Sequence, residues 1–302
     1  MTEGSAHGAR YGPHASPSEV ASAVASALLL SYSAPMPGVD SRYSDGMVAH
    51  ETRLLGVPAL AMATSGAAAR PVGETVLEAV FGSRSVAGYA DLRAAGYLAP
   101  LARAMLLGER LGKVLAGLSH EDAHLFARAL EAAGPASYPR ALAEALDVTL
   151  GAGRDATLRD MMRFAAGRDP MAREYARDFE ITRDLARPSL SSALARVEAT
   201  RPALVQAYLE VLSEVPDLDA ANRAGRKEAE EVSRMAHGVL KAGGVYSRRG
   251  LQAIANLDGL LRSDARLKPT ATETPIMAAA FLVSLERGVG FLNHRVRPAP
   301  GR

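Results

Sequence analysis

The chain has 302 residues, 48% of them hydrophobic, and a formal net charge of +2; that length and apolarity suffice for a sizeable core and argue against global disorder. The absence of cysteine excludes disulfides, thiolate metal sites and a cysteine nucleophile, and so small a net charge gives no electrostatic case for a nucleic-acid partner. Aromatics are only 5% and tryptophan is absent, so leucine, alanine, valine and methionine must fill the interior.

Residues 1–16 read as a flexible tail; the opening MTEGSAHGARYGPHASP is polar and lacks the charged-then-apolar order of a secretory signal. A first helix is expected over about 17–32. Its apolar run from Val20 to Leu30 is interrupted by serines and too short to span a bilayer. The expectation is a cytoplasmic protein with no membrane partner. SAPMPGVDSRYSDG follows, residues 33–46. Pro35, Pro37 and Gly38 set a bend, and Arg42 and Asp45 are the side chains left there for chemistry. Helical periodicity then covers about 47–66, 73–81 and 91–116.

SHEDAH, residues 119–124, opens a helix over 120–133 and contains H-E-x-x-H. His120 and His124 lie one turn apart, Glu121 is placed to act as a base, and Glu144 on the next helix (138–147) is a third ligand: the grammar of a zinc hydrolase. A plainer reading competes. Ser119 with Asp122 is a capping box, and acids in a first turn complement the helix dipole. No strand precedes the helix to bind substrate, so the capping reading is preferred.

TLRDMMRFAAG places Leu158, Met161, Met162 and Ala165 on one stripe, with Thr157 and Asp160 as its capping box. Helices follow over 170–186 and 189–213. Asp217, in VPDLD, is an N-cap candidate. EEVSRMAHGVLKAGG sets Val232, Met235, Ala236 and Val239 on one face, pairs Glu230 with Arg234 at i,i+4, and stops at Gly243-Gly244. Two more helices cover 247–264 and 274–288, and 297–302 read as a second tail. With almost no sustained strand alternation, no fixed-period repeat and no linker, the fold predicted is all-α: a single-domain multi-helix bundle over 17–296.

Five segments, in order, resemble the triphosphoribosyl-dephospho-CoA synthase family, all-α enzymes that join an ATP-derived ribosyl triphosphate to dephospho-CoA. Residues 31–38, SYSAPMPG, resemble E-x-x-x-P-K-P-G; GETVLEAVFGSRSVAGYADLRAAGYLAPLARA resembles a segment with N-T-N-L-G and A-P-L-A. TLRDMMRFAAGRDPMAREYARDF is similar to T-L-R-x-A-M-x-x-A-x-x-R-D-x-I-A-R-x-Y-x-x-x-F, EVPDLDAANRAG to P-D-S-x-I-x-R-K-x-G, and LKPTATETPIMAAAFLVSL to the terminal S/N-P-G-x-T-A-D-L helix. Several charged positions differ. The family glutamate aligns with Ser31, its lysine with Met36, N-T-N with Tyr89, Ala90 and Asp91, R-K with Asn222 and Arg223, and the last glycine and aspartate with Thr270 and Thr274.

The resemblance implies ATP and Mg²⁺ as cofactors and a phosphorylated small molecule or nucleotide as partner. Carried onto this chain, it implies Asp169 and Asp217 as catalytic residues, with Asp217 also a metal ligand. Arg42, Arg168, Arg173, Tyr175 and Arg223 become the phosphate or nucleotide binders, around a loop of Pro35, Pro37, Gly38 and Asp45. A purely structural account of the same residues stays open: Asp169 caps its helix and pairs with Arg173 at i,i+4. Two functions follow, a nucleotide-dependent transferase of cofactor biosynthesis with an altered substrate, or a catalytically degenerate homologue serving as partner subunit or ligand-binding module. The alanine-rich helix faces also suit a homo-oligomer.

Overall fold

The computed structural model describes residues 14–44, 48–134, 140–151, 155–197 and 199–288. Among these, fifteen α-helices and no strand are present, as the periodicity predicts. In chain order they are α1 (Pro17–Ser33), α2 (His50–Ser65), α3 (Val72–Ala87), α4 (Leu92–Leu107), α5 (Leu111–Ala116), α6 (His120–Ala133), α7 (Arg140–Leu150) and α8 (Leu158–Ala165). Then come α9 (Pro170–Ala176), α10 (Arg187–Arg196), α11 (Thr200–Glu214), α12 (Leu218–Ala224), α13 (Arg226–Lys241), α14 (Arg248–Ser263) and α15 (Glu273–Arg287). No helix among the described residues is long and apolar enough to cross a membrane.

Capping fixes several helix starts. Ser16, Ser119 and Thr157 each accept from the amide three residues on, and Glu19, Asp122 and Asp160 return the bond, closing capping boxes on α1, α6 and α8. Ala15 N–H also donates to Met105 O at 3.2 Å, so residues 14–16, expected as part of a tail, rest on the body of the fold. The second expected tail, 297–302, lies outside the described residues.

Three predicted helices are broken where the backbone leaves the right-handed region. The span 91–116 divides at Gly108 (φ +62°). The span 170–186 ends after Ala176, where Asp178 and Phe179 take φ of 51° and 57°, and a π-helical turn, Ile181–Ala186, leads directly into α10. The span 189–213 is interrupted at Val197, which is extended. The short α12, capped by Asp217 and stopped by Gly225, has too few residues for a periodic signal. Glu230 pairs with Arg226 and Arg234 with Glu231, not with each other as predicted.

The buried side chains form one contiguous cluster. At its centre lie α4, buried nearly all round, and α15, buried from Thr274 to Ser284, as expected of helices apolar on every face. α1 packs on α15, α2 on α1 and α3, α3 on α6, and α11 on α10 and α13. Small residues set the close approaches. Gly56 faces Ser83 across α2 and α3, and Gly82 faces Ala59. Gly73 in the first turn of α3 lies against α6, where an added Cβ would stand 2.9 Å from the backbone Cα and C of Asp122. Asp122 Oδ1 also accepts from Gly73 N–H at 2.9 Å while Oδ2 accepts from Ser119 N–H at 2.8 Å, so this one carboxylate caps two helices. Gly73→Ala drives a methyl into backbone that no rotamer change can clear. It should destabilise the fold by about 1–3 kcal/mol, read as a lower urea midpoint and thermal midpoint by circular dichroism at 222 nm.

Candidate functional site

Two arginines sit where helix patterning calls for apolar side chains. Arg53 lies on the buried stripe of α2 with Val57, Leu60, Ala61 and Thr64, and its side chain is 10% exposed. Such a charge needs partners, and it has them. Its guanidinium donates to Glu273 Oε1 at 2.7 Å and to the Asp40 carbonyl at 3.1 Å, lies 3.6 Å from Asp91 Oδ2, and covers the Tyr32 ring 3.8 Å from the centroid. Tyr32 OH donates to Asp91 Oδ2 at 2.9 Å, and Asp91 Oδ1 caps α4 through Ala94 N–H.

Arg93, in the first turn of α4, makes a two-pronged pair with Asp219, at 2.7 and 3.2 Å, and donates to Thr270 O at 3.2 Å. Thr270 Oγ1 donates to Asp219 Oδ2 at 2.7 Å. Burial works against ionisation of Asp219, but Arg93 outweighs it and holds the carboxyl below its usual value.

Asp217 stands two residues away in a different situation. It is 2% exposed. Its Oδ1 caps α12 by accepting from Ala220 N–H at 2.9 Å, and its Oδ2 accepts from Thr272 N–H at 2.9 Å and Thr272 Oγ1 at 2.8 Å. No guanidinium contacts it among the described residues. Burial first, then the neighbouring Asp219 charge, pushes its pKa up to about 6. Asp169, the cap of α9, accepts from Ala172 N–H at 2.8 Å, and burial raises its pKa against the opposing Arg93.

Segments far apart in sequence are thereby stitched together. Asn222 Nδ2 donates to Arg168 O at 2.7 Å. Arg223 reaches Thr270 Oγ1 at 3.3 Å and the Lys268 carbonyl. Lys268 Nζ donates to Asp40 Oδ1 at 3.1 Å. In the 33–46 bend, Gly38 (φ +76°) donates to Asp258 Oδ1 at 2.8 Å, with Pro269 and Leu261 closed against its Cα, and Tyr208 OH donates to Pro37 O at 2.8 Å. Arg173 and Asp217 line one crevice with Thr272, Tyr97 and Pro170, enclosing about 20 Å³, room for a single water. Arg173 is half-buried; its guanidinium makes no side-chain hydrogen bond or ion pair among the described residues, and its charge helps hold down the pKa of the buried Glu174.

Of the residues singled out in the sequence, Asp169, Arg173, Asp217, Arg223 and the loop of Pro35, Pro37 and Gly38 come together in this region. Asp169 caps α9 as the structural account expects but faces Arg93 rather than Arg173. Three others do not join. Tyr175 is a core residue whose hydroxyl donates to Gly96 O at 2.6 Å, because its place on α9 faces α4. Arg42 is exposed and stacks on Tyr43, its guanidinium 5.4 Å from the ring. Arg168 turns outward to Glu144. Asp45 lies outside the described residues.

The donor set does not fit a resident Mg²⁺ on Asp217: both its oxygens are taken by amides and a hydroxyl, Asp219 is spanned by Arg93, and no cluster of three or more His, Asp or Glu side chains able to hold a metal occurs among the described residues. The same holds for the zinc reading. Glu144 is held by Arg140 and Arg168, and His120 Nδ1 lies 3.1 Å from Ala156 O while its Nε2 lies 2.7 Å from that of His124.

Arg53, Arg93, Asp219, Glu273 and Asp40 were not singled out from the sequence. The signal for Arg53 was present, a charge on an otherwise apolar stripe; the others are joined only by the tertiary fold.

These features define an all-α protein whose polar residues converge from five separated segments onto one buried network of acids and arginines. The chain belongs to the CitG family, ATP:dephospho-CoA triphosphoribosyl transferase, whose family model matches residues 17–291. A solved structure from Archaeoglobus fulgidus, assigned provisionally as a triphosphoribosyl-dephospho-CoA synthase, is similar in fold. Its TM-score is 0.56 at 21% identity, over 79% of this chain and 98% of that one. No curated protein matches the chain.

Two outcomes follow. Arg93→Met leaves Asp219 buried without its cation, and urea unfolding should show a loss of about 3–5 kcal/mol. Asp217 has a folded pKa of about 6 against 3.8 for the free group, so the folded state binds its proton more tightly. The resulting stability is complete below about pH 3.8 and is lost as pH rises through 6. In urea titrations at pH 4 and pH 7, the stability of wild type relative to Asp217→Asn should fall by about 1–3 kcal/mol toward the higher pH.

Proposed function

We propose that the protein is a cytoplasmic, ATP-using transferase of the triphosphoribosyl-dephospho-CoA synthase type, acting in cofactor biosynthesis on a phosphorylated acceptor. The observation that carries this is the unpaired guanidinium of Arg173 in the same crevice as Asp217. A triphosphate needs a cation whose charge is not already spent. The guanidiniums of Arg53, Arg93 and Arg223 are tied up in hydrogen bonds, whereas that of Arg173 has no direct bond among the described residues and feels the nearby Glu174.

Moving a triphosphoribosyl group from ATP breaks the bond between ribose C1′ and adenine and forms one from C1′ to an acceptor oxygen. The acceptor hydroxyl gives up a proton and adenine takes one. A group that exchanges protons near neutrality suits that exchange; Asp217, at about 6, is such a group, and Thr272 Oγ1, bonded to it at 2.8 Å, lines the crevice and offers the relay. Asp169 holds the start of α9, from which Arg173 projects. Entry of a nucleotide requires segment 268–275 to move, since the crevice admits one water.

That small volume favours a second reading, a degenerate homologue in which Arg93 and Arg53 lock the network shut and the chain serves as a partner subunit or binding module. Calorimetry with ATP and Mg²⁺, paired with chromatography for free adenine in the presence of dephospho-CoA, separates the two. The transferase binds ATP and releases adenine; ATP binding without adenine release indicates a different acceptor; no ATP binding overturns the proposal in favour of the second reading. Arg173→Met should weaken ATP binding about tenfold or more and shift unfolding by no more than about 0.5 kcal/mol.

A further inference from the structure

A second and much larger cavity opens on the far side of the Pro35–Gly38 loop. It measures about 590 Å³, within the range of small-molecule sites, where the Arg173 crevice measures about 20 Å³. Pro35, Pro202, Val205, Leu251 and Ile254 give it apolar walls from the loop, α11 and α14. Three polar side chains reach it: Arg201, Tyr43 and Asp258.

The charges of those three do not cancel. Asp258 has both oxygens in use, Oδ1 accepting from Gly38 N–H at 2.8 Å and Oδ2 from Arg262 Nε at 2.9 Å, so its charge is matched by Arg262. Arg201 donates to the uncharged Tyr43 hydroxyl at 2.7 Å and has no carboxylate partner among the described residues. Its remaining N–H groups and its full positive charge are therefore available at the cavity. A guanidinium needs an acceptor and prefers an anionic one with two oxygens.

We infer that this cavity is a binding site for a small anionic amphiphile: a flat or aliphatic apolar body seated on Val205, Leu251 and Ile254, with one carboxylate, sulfonate or phosphate oxyanion held by Arg201 and the Tyr43 hydroxyl. The site does not rest on the transferase reading, since it shares no residue with the Arg173 crevice. It does border the loop that Asp258 and Tyr208 hold in place, so a bound ligand touches Pro35 directly.

The probe is 8-anilinonaphthalene-1-sulfonate, an aromatic body with one sulfonate, compared with uncharged N-phenyl-1-naphthylamine on the full chain. One site should fill with a rise in fluorescence. Arg201→Met should weaken the sulfonate about tenfold and leave the uncharged probe unchanged. Ile254→Trp, which fills the cavity from a half-buried position on α14, should weaken both. Met62→Glu, on the exposed apolar face of α2, should change neither. The inference is overturned if Arg201→Met binds both probes as wild type does, or if Met62→Glu abolishes binding. Were Ile254→Trp not to fold, the contrast between the two probes on Arg201→Met decides alone.

Discussion

Arg93 is held between Asp219 and the Thr270 carbonyl, and three parts of the chain depend on that placement. Arg93 begins α4, Asp219 sits in the first turn of α12, and Thr270 precedes α15, so one guanidinium fixes the relative position of helices that are remote in sequence. Arg53 does the same for α2, the start of α4 and the start of α15 through Asp91 and Glu273. Burying charge is costly, and such pairs add little net stability compared with apolar replacements; their effect is geometric, because each partner is intolerable alone. The two arginines make the meeting point of the segments a defined place rather than a general apolar contact.

The same constraint separates the roles of two neighbouring acids. Asp219 has a cation and stays ionised. Asp217 is buried with no cation against it among the described residues and has a like charge beside it; burial first and then that charge raise its pKa toward neutrality, against the amide and hydroxyl donors that hold it down. Two residues on one helix start thus differ because Arg93 approaches from one side only. The protein needs no unusual residue to obtain a proton-exchanging group, only an uneven distribution of partners.

Much of this could be read from the sequence, and what could not has a physical cause. Local rules worked where local chemistry decides: Ser119–Asp122 and Thr157–Asp160 are capping boxes, and Leu158, Met161, Met162 and Ala165 are all fully buried. The family segments, read from residue order, do adjoin in space at Arg168, Asn222 and Thr272. Periodicity could not reveal the left-handed Asp178 and Phe179, because their conformation is fixed by Glu174, whose buried carboxylate accepts from Ile181 N–H and Thr182 N–H at 3.0 Å. Spacing does put Tyr175 and Arg173, two residues apart on one short helix, on opposite faces; what it could not show is which face meets the core, where Tyr175 bonds Gly96, and which meets the crevice.

The neutral residues in the 31–38 segment carry a further implication. In the resemblance, Ser31 stands where the family has a glutamate and Met36 where it has a lysine. Met36 is fully buried, and Ser31 is 1% exposed with its hydroxyl unbonded among the described groups. A lysine or a glutamate at such positions would be a buried charge, costing several kcal/mol unless matched by a partner. The two changes remove one negative charge from the end of α1 and one positive charge from the bend after it, whose backbone geometry, Gly38 included, is held by Asp258 and Tyr208. What they take away is the cation that the loop would offer a phosphate. Under the proposed function that task would pass to Arg173 in the crevice beside Asp217, a single guanidinium on a helix of seven residues.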